Sequence, residues 1–558
     1  NSITLTFNSF NVEQDWDYMF IYDGNSVNSP LLGVYTGTNS PGTITSSGGS
    51  LLIEFRSDCA TAAPGWEATF TTTGQDAVAP TTSVNVPSSW QTGDFTATFN
   101  DQDNAGGSGI EKSFYHVAYF NGSDWSANPG RGFYFDDFNG NNLAAPWTAQ
   151  SGMWSVTNGN LVQSDESLTN TNMYMALNQT LSNNYIYHWK GKIGGSGTNR
   201  RAGLHILCSD PTATNRETSY FIWFRVDQDK IQFYKVENDD YGIPLIGIPF
   251  QVDANTWYDF KFSFDRITGK MLMYVDDELV ADWTDTNPIH SGDYISFRTG
   301  HAHFEVQDLT VYRSRYPNAD ILVGADTTHD LRYQNQSPSI AGGRIKSITR
   351  DGADNISSVV SSLVDVDWTK PDFNTVNDGP GSDVDTIYSA TVEGNWGSAV
   401  DPHSGVQHYD VAIGTSPGTD NIVSWNNQGL NQNIAHLVTN VVYGKTYYIA
   451  VKAYNNDQLN STGVSEGKNM LYSAVDLSTN VLEQIQVYPN PATDFVRIQN
   501  QEGIDLDIRV YDGNGKLVLA ENKVSGDKII DVQEWSSGVY HIAIIHDNAM
   551  VFKKLLVQ

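Results

Sequence analysis

Two histidines and a glutamate alternate in the run His301-Ala302-His303-Phe304-Glu305. Alternate side chains of a β-strand lie on one face, so His301, His303 and Glu305 would line up there as possible metal ligands. The same run is also typical of a solvated strand face whose neighbours Phe304 and Val306 point into a core. A metal site needs supporting hydrogen bonds that a sequence does not show. The pattern therefore favours the solvated face.

Other templates for catalysis are absent from the sequence. There is no His-Glu-x-x-His of zinc proteases, no Gly-x-Ser-x-Gly nucleophile elbow and no P-loop. The two cysteines, Cys59 and Cys208, lie in different predicted domains, which argues against a thiol protease and against a disulfide framework. Whether the protein is an enzyme stays an open question at this point.

The composition is that of a secreted protein built from several β-domains. The chain has 558 residues, of which 39% are hydrophobic, 12% aromatic and 17% charged, enough for roughly three to five domains with filled cores. Asp and Glu total 64 against 32 Lys and Arg, a net charge of −32. That charge disfavours nucleic acid as a partner and attracts divalent cations such as calcium. No run approaches the roughly 20 apolar residues of a membrane helix.

Residues 135–313 are predicted to form a β-sandwich, because aromatic and β-branched residues alternate in runs such as 220–226 and 257–264. The pattern resembles concanavalin-like sandwiches of the laminin-G and carbohydrate-module types, without the Glu-x-Asp-x-x-Glu strand of their catalytic members. The resemblance implies sugar binding through exposed aromatic rings and polar groups, although a strand Trp is also typical of a core. The candidates are Tyr187, Trp189, Arg200, Arg201, His205 and Trp223.

Residues 1–74 resemble the later part of a CUB domain. The matching motifs are Phe10-Asn11-Val12-Glu13, the run 17–24, the run 51–58 and the run 65–70. The family's opening strands, which often carry a cysteine, have no counterpart, and no signal peptide precedes Asn1. We therefore expect the chain to be a fragment of a longer polypeptide, with any partner of Cys59 upstream.

The CUB resemblance also implies a calcium site. The family's Glu, its Asp before Tyr and its Asp after Phe-x-Ser correspond to Glu13, Asp17 and Asp58. Three carboxylates at one end of a sandwich would repel one another without a cation. The alternative is that they are separate turn residues held by backbone N–H groups.

Residues 78–134 and 314–370 are predicted to be two halves of one Ig-like domain that carries the sandwich as an insertion. The first half resembles the start of the Ig-like modules of bacterial surface proteins. The second half of such a module should contain Asp-x-Ala-x-Asn-x-Ser and should end with Val-Asp-x-Thr-x-Pro. Neither motif follows residue 134, and both occur later, at 351–357 and 366–371. Insertions are tolerated at exposed loops. Two separate domains of about 55 residues each would bury too little surface for comfortable stability.

The last two regions carry further resemblances. Residues 371–475 resemble a fibronectin type III domain at the strand around 447–455.

Residues 481–558 resemble the type A C-terminal sorting domain of the type IX secretion system of Bacteroidetes. Four elements match in order: Tyr488-Pro489-Asn490-Pro491, Gly515-Lys516-Leu517, Gly538-Val539-Tyr540 and a basic last strand. By that resemblance the secretion machinery recognises the tail at the outer membrane, then removes it or exchanges it for a surface anchor.

The sequence thus predicts an all-β string of sandwiches: CUB-like, Ig-like, jelly-roll, fibronectin type III-like and Ig-like sorting domains. We expect a secreted or surface-anchored accessory or adhesion region, without catalytic residues, that binds polysaccharide or protein. The alternative is the accessory part of a larger secreted peptidase, amidase or polysaccharide lyase, with its catalytic domain upstream of Asn1.

Overall fold

The computed structural model describes residues 2–58, 60–72, 76–140, 143, 146–440, 442–471, 481–547 and 549–558. Within these residues the regular structure is strand, apart from one 3-10 turn at Pro129–Arg131 and a helical turn at 481–484. The predicted all-β class is therefore confirmed. Cys59 lies outside the described residues. The chain divides into two compact units, Asn1–Thr369 with Pro402–Ser404 and Lys370–Asp401 with Gly405–Gln558.

The N-terminal module, residues 1–74, packs two three-stranded sheets, β4-β1-β6 and β3-β2-β5. Alternating apolar residues of β1, such as Leu5 and Phe7, point inward against Met19 and Ile21 of β2. The strands are β1 (Ile3–Asn11), β2 (Tyr18–Asp23), β3 (Leu31–Tyr35), β4 (Thr43–Thr45), β5 (Leu51–Arg56) and β6 (Gly65–Thr72).

The flanking segments, residues 78–134 and 314–370, share one hydrophobic core that includes Phe95, Tyr115, Val323 and Ile345. β9 and β27 pair antiparallel along their length. The two flanking segments therefore contribute strands to one core. The strands are β7 (Thr81–Asn85), β8 (Phe95–Gln102), β9 (Ile110–Phe120), β10 (Trp125–Ser126), and, after the insert, β26 (Ile321–Val323), β27 (Gly343–Asp351) and β28 (Val360–Val364).

The insert, residues 135–313, is a sandwich of two large sheets around a core rich in aromatic side chains. Its first sheet has the order β12-β15-β24-β17-β18-β19-β20. The strands are β11 (Tyr134–Asp136), β12 (Thr148–Ser151), β13 (Trp154–Thr157), β14 (Asn160–Gln163), β15 (Asn172–Ala176), β16 (Asn184–Gly194), β17 (Arg201–Cys208), β18 (Ser219–Arg225), β19 (Lys230–Val236), β20 (Ile246–Pro249), β21 (Trp257–Asp265), β22 (Lys270–Val275), β23 (Glu278–Thr284), β24 (Tyr294–Gly300) and β25 (His303–Arg315).

The second sheet of the insert continues into the flanking segments. Its order is β23-β22-β21-β16-β25-β9-β27-β28, so β25 bridges the two parts. β25 pairs with β16 over most of its length, and its last residues, 313–315, pair with 115–113 of β9. The predicted boundaries therefore fall inside strands β11 and β25 rather than in an exposed loop. This arrangement satisfies the backbone hydrogen-bonding groups that an edge at β9 would otherwise leave open.

A buried ion pair holds the end of β25 in the flanking core. Arg315 and Asp101 both have 0% exposed side chains, and Arg315 Nη1 and Nη2 lie 2.6 and 2.7 Å from the two Asp101 oxygens. Arg315 also donates to Ser347 Oγ at 2.9 Å. The hydroxyls of Thr82 and Ser113 donate to Asp101 at 2.6 and 2.9 Å. Both charges are thereby compensated, as burial in a core demands.

The second unit contains two further cores. Residues 371–475 pack β29 (Val376–Asp378), β31 (Thr391–Trp396) and β34 (Asn433–Leu437) in one sheet. Their second sheet has β30 (Thr386–Ile387), β32 (Val406–Gly414), β33 (Val423–Asn427), β35 (Thr446–Asn455), β36 (Asn460–Val464) and β37 (Lys468–Met470). The tail, residues 481–558, has β38 (Gln486–Tyr488), β39 (Phe495–Gln499), β40 (Asp505–Tyr511), β41 (Leu517–Ser525), β42 (Lys528–Asp531), β43 (Gly538–His546) and β44 (Ala549–Val557) around its own core.

Replacing Asp101 by Ala should destabilise the first unit by about 3–5 kcal/mol, because the Arg315 guanidinium would stay buried without its counter-charge. Denaturant unfolding followed by tryptophan fluorescence measures this change. Lys190→Met is the control, since Lys190 and Asp308 form an exposed ion pair and such pairs contribute about 1 kcal/mol or less. Equal effects of the two variants would contradict the structural role of the buried pair.

Candidate functional site

The structure brings together the three carboxylates predicted to bind calcium. Asp17 precedes β2 and Asp58 follows β5, and the antiparallel pairing of Tyr18 with Arg56 places these strand ends side by side. Glu13 lies in the loop between β1 and β2. One ligand oxygen from each of Glu13, Asp17 and Asp58 lies within 4.8 Å of the others.

The polar environment of this cluster fits a cation. Asp17 is only 6% exposed, and its Oδ1 has no hydrogen-bond partner in the described structure. The other carboxylates are oriented by backbone donors: Ala60 N donates to Asp58 Oδ1 at 2.9 Å and Thr61 N to Glu13 Oε2 at 3.3 Å. A buried, unpaired carboxylate oxygen is costly. Hard oxygen ligands arranged in this way suit calcium.

Two residues predicted to bind sugar lie in the core of the insert instead. Tyr187 and Trp189 are 0% exposed. Both belong to β16, which lies between β21 and β25, and Trp189 contacts the rings of Phe224 and Phe297 in the opposite sheet. Neither ring is accessible to a ligand. The prediction for these two residues is corrected, because the inner face of β16 is covered by the second layer.

Arg201, His205 and Trp223 do share the outer face of the seven-stranded sheet, but that face is largely closed. His205 is buried, with its ring stacked on Phe221 at a centroid distance of 3.9 Å. Trp223 is 5% exposed, and the Arg298 guanidinium lies 5.7 Å from its ring. Packing thus removes His205 and Trp223 from contact with a ligand, which corrects both predictions. Arg201 is half-buried.

The histidine-rich run does not form the predicted aligned set. His301 has a φ of 52° and lies before β25, so it does not share a strand face with His303 and Glu305. Glu305 is engaged on both oxygens, by Lys192 Nζ at 2.7 Å and by Asn160 Nδ2 at 2.7 Å. This arrangement is the polar strand face that the sequence favoured, and Glu305 has an ordinary ion-pair role in it.

A polar cleft of about 420 Å³ lies on the outer face of the sheet that the insert shares with the flanking segments. No motif in the sequence predicted it. It falls within the usual size range of ligand sites. Strands of the insert form one side and β27 of the flanking segments forms the other. The lining residues are Phe135, Asp137, Asn139, His188, Lys190, Asp259, Lys261, Asp277, Asp308, Thr310, Tyr312, Arg344, Lys346, Ser358 and Val359. The alternation of charged residues along β16 and β25 was the only local signal of this surface.

Three of the four carboxylates that line the cleft have ion-pair partners. Lys190 Nζ lies 3.2 Å from Asp308, and Lys261 Nζ lies 2.6 and 2.7 Å from Asp259 and Asp277. His188 Nε2 shares a hydrogen bond of 3.0 Å with Asp259. These pairs give the cleft a wall of fixed, alternating donors and acceptors.

The two cations of β27 differ from those of the insert side. Arg344 and Lys346 lie two positions apart on the strand. The guanidinium carbon of Arg344 and the Nζ of Lys346 lie 4.7 and 4.2 Å from the centroid of the Phe135 ring. Arg344 Nε and Nη2 have no hydrogen-bond partner in the described structure, and Lys346 Nζ has only a long contact of 3.5 Å with Thr310 Oγ1. Burial, followed by the charge of Arg344, lowers the pKa of Lys346 to about 7. Burial also lowers the pKa of Arg344.

Comparison with known families identifies the two ends of the chain. Residues 486–558 match the secretion system C-terminal sorting domain, and residues 1–70 match the CUB domain. The chain carries a type IX sorting domain. The sorting domain indicates export by the type IX system to the cell surface or the medium, and it implies an interaction with the secretion machinery. Among the described residues, no helix has both the length and the apolar character needed to span a bilayer.

The curated relatives match through the CUB region. Cubilin of Canis lupus familiaris is 40% identical over 72 residues, covering 12% of this chain and 2% of cubilin. Tolloid-like protein 1 of Mus musculus is 38% identical over 74 residues, covering 12% and 7%. Procollagen C-endopeptidase enhancer 1 of Rattus norvegicus is 38% identical over 81 residues, covering 14% and 17%. The chain thus spans a small part of each relative.

Solved structures similar to part of the chain include sugar-binding proteins. The carbohydrate-binding module CBM66 of Bacillus subtilis has a TM-score of 0.26 and 19% identity, covering 30% of this chain and 94% of the module. The carbohydrate recognition domain of Emp47p has a TM-score of 0.29 and 10% identity, covering 34% and 97%. TM-scores this low assign neither a fold nor a ligand.

The cleft should make the stability of the first unit depend on pH through Lys346. Its pKa is about 7 in the folded protein against 10.5 for an ordinary lysine. Between these values the unfolded chain binds the additional proton, so the free energy of unfolding rises with pH and is flat below about 7. Lys346→Met should remove this rise in denaturant unfolding at pH 6, 8 and 9.5. Lys190→Met should retain it, and parallel profiles for wild type and Lys346→Met would contradict the burial of this ammonium group.

Proposed function

We propose that this chain is a non-catalytic binding region of an exported protein and that the polar cleft binds a polysaccharide. The observation that supports the proposal is the cleft itself. It holds fixed carboxylates and ammonium groups side by side on one outer sheet face. Sugar hydroxyls both donate and accept hydrogen bonds, so alternating donors and acceptors in one cleft suit them. An accessory role beside a secreted hydrolase or lyase domain would use the same cleft to hold the substrate.

The site differs from the one expected from the sequence. Tyr187, Trp189, His205 and Trp223 supply cores rather than a platform. The polysaccharide is therefore proposed to lie on the outer face of the sheet that contains β16 and β27. There the insert contributes Asp308 and Lys190, and the flanking segments contribute Arg344. Binding would therefore depend on the joint between the insert and the flanking segments.

Affinity electrophoresis through gels that contain neutral or acidic polysaccharides tests this proposal. The intact chain should be retarded by at least one polymer, and Asp308→Asn should weaken the retardation by about tenfold, since a charge-assisted hydrogen bond contributes roughly 1.5–3 kcal/mol. Asp282→Asn is the matched control, because Asp282 is exposed on β23 of the same sheet and outside the cleft. No retardation by any polymer would overturn the proposal and favour a protein ligand.

We also propose that Glu13, Asp17 and Asp58 hold a calcium ion in the CUB domain. The supporting observation is the unpartnered Oδ1 of the buried Asp17, together with the convergence of the three carboxylates. The ion would neutralise their mutual repulsion and tie the β1–β2 loop to the segment after β5.

Calcium should raise the melting temperature of the CUB domain measured by calorimetry, by an amount equivalent to about 2.7 kcal/mol at one hundred times the dissociation constant. Asp17→Asn should abolish the rise, because it removes a ligand charge. Asp15→Asn should keep it, since the exposed Asp15 lies outside the cluster. A wild-type melting curve that does not change with calcium would exclude the site.

A further inference from the structure

We infer that the cleft selects an acidic polysaccharide by binding its carboxylate or sulfate groups through Arg344 and Lys346. This inference rests on the proposed function and specifies the ligand class. Both residues lie on β27, two positions apart, so their side chains share one face of the strand. Both line the cleft and approach the same aromatic ring, that of Phe135.

The positive charge on this side of the cleft is offset by the carboxylates of Asp137 and Asp308 without a direct ion pair. No ion pair links Arg344 or Lys346 to a described residue, whereas Lys190 and Lys261 are each paired with Asp. Two like charges held on one strand face destabilise each other, and an anion between them would relieve that repulsion. A neutral polymer would leave it in place.

Hydrogen-bonding capacity points to the same chemistry. Two guanidinium nitrogens of Arg344, Nε and Nη2, are buried without a partner. A buried donor without an acceptor is costly, and a guanidinium matches a carboxylate or sulfate through two parallel hydrogen bonds. Lys346 can add a third charge-assisted bond from its ammonium group. Asp137 and Asp308 face the same space and would keep an anion on the β27 side.

The acidic character of the whole chain helps to distinguish specific from non-specific binding of an acidic polymer. The net charge of −32 opposes non-specific retention of acidic polymers. Retention of an acidic polymer by the intact chain therefore reports a local site.

The test compares polygalacturonate with its fully methyl-esterified form, which keeps the backbone and removes the charge, and adds chondroitin sulfate as a sulfated polymer. The full chain should bind an acidic polymer at least tenfold more tightly than the methyl ester in affinity electrophoresis. Arg344→Gln and Lys346→Met should each reduce this preference by about tenfold, as expected for losing a charge-assisted bond. Lys230→Met, on the opposite sheet, should leave it unchanged.

The melting temperature of each variant shows whether a loss of binding comes from the site or from unfolding. Arg344→Lys should keep part of the preference that Arg344→Gln loses, because lysine retains the positive charge but not the paired donors of a guanidinium. Preference for chondroitin sulfate alone would identify sulfate as the recognised group. Equal binding of the acid and its methyl ester, or unchanged binding by Arg344→Gln, would overturn the inference while leaving polysaccharide binding intact. Absence of binding to every polymer would overturn the proposed function together with it.

Discussion

The buried ion pair between Arg315 and Asp101 is the constraint on which the first unit depends. A guanidinium and a carboxylate without solvent contact need close pairing and further hydrogen bonds to offset their desolvation. Here the partners come from both flanking segments, through Thr82, Ser113 and Ser347. The pair therefore fixes the last residue of β25 within the core of the flanking segments.

The continuity of that sheet follows from this anchor. With Arg315 bound to Asp101, residues 313–315 of β25 pair with β9, and β9 pairs with β27 on its other side. The outer faces of β16, β21, β25 and β27 then form one surface. The cleft exists because side chains of the insert and of the flanking segments meet on that surface.

Two buried polar groups of opposite sign lie without a hydrogen-bond partner at the two candidate sites. In the CUB domain, Asp17 directs a buried oxygen without a partner towards two other carboxylates. In the cleft, Arg344 holds buried donors without an acceptor. Buried polar groups in proteins are nearly always hydrogen-bonded. These two lie among converging carboxylates and in a cleft, which together support a cation in one case and an anion in the other.

The amino-acid sequence by itself determined the all-β class, the CUB region, the sorting domain and the convergence of Glu13, Asp17 and Asp58. These features depend on local motifs and on strand ends that short loops bring together. Tertiary structure alone decided that Tyr187 and Trp189 are core residues and that Arg344 and Asp308 line one cleft. The physical reason is that period-two alternation shows which side chains share a strand face. It does not show which face a second layer covers, nor which distant strand lies beside it.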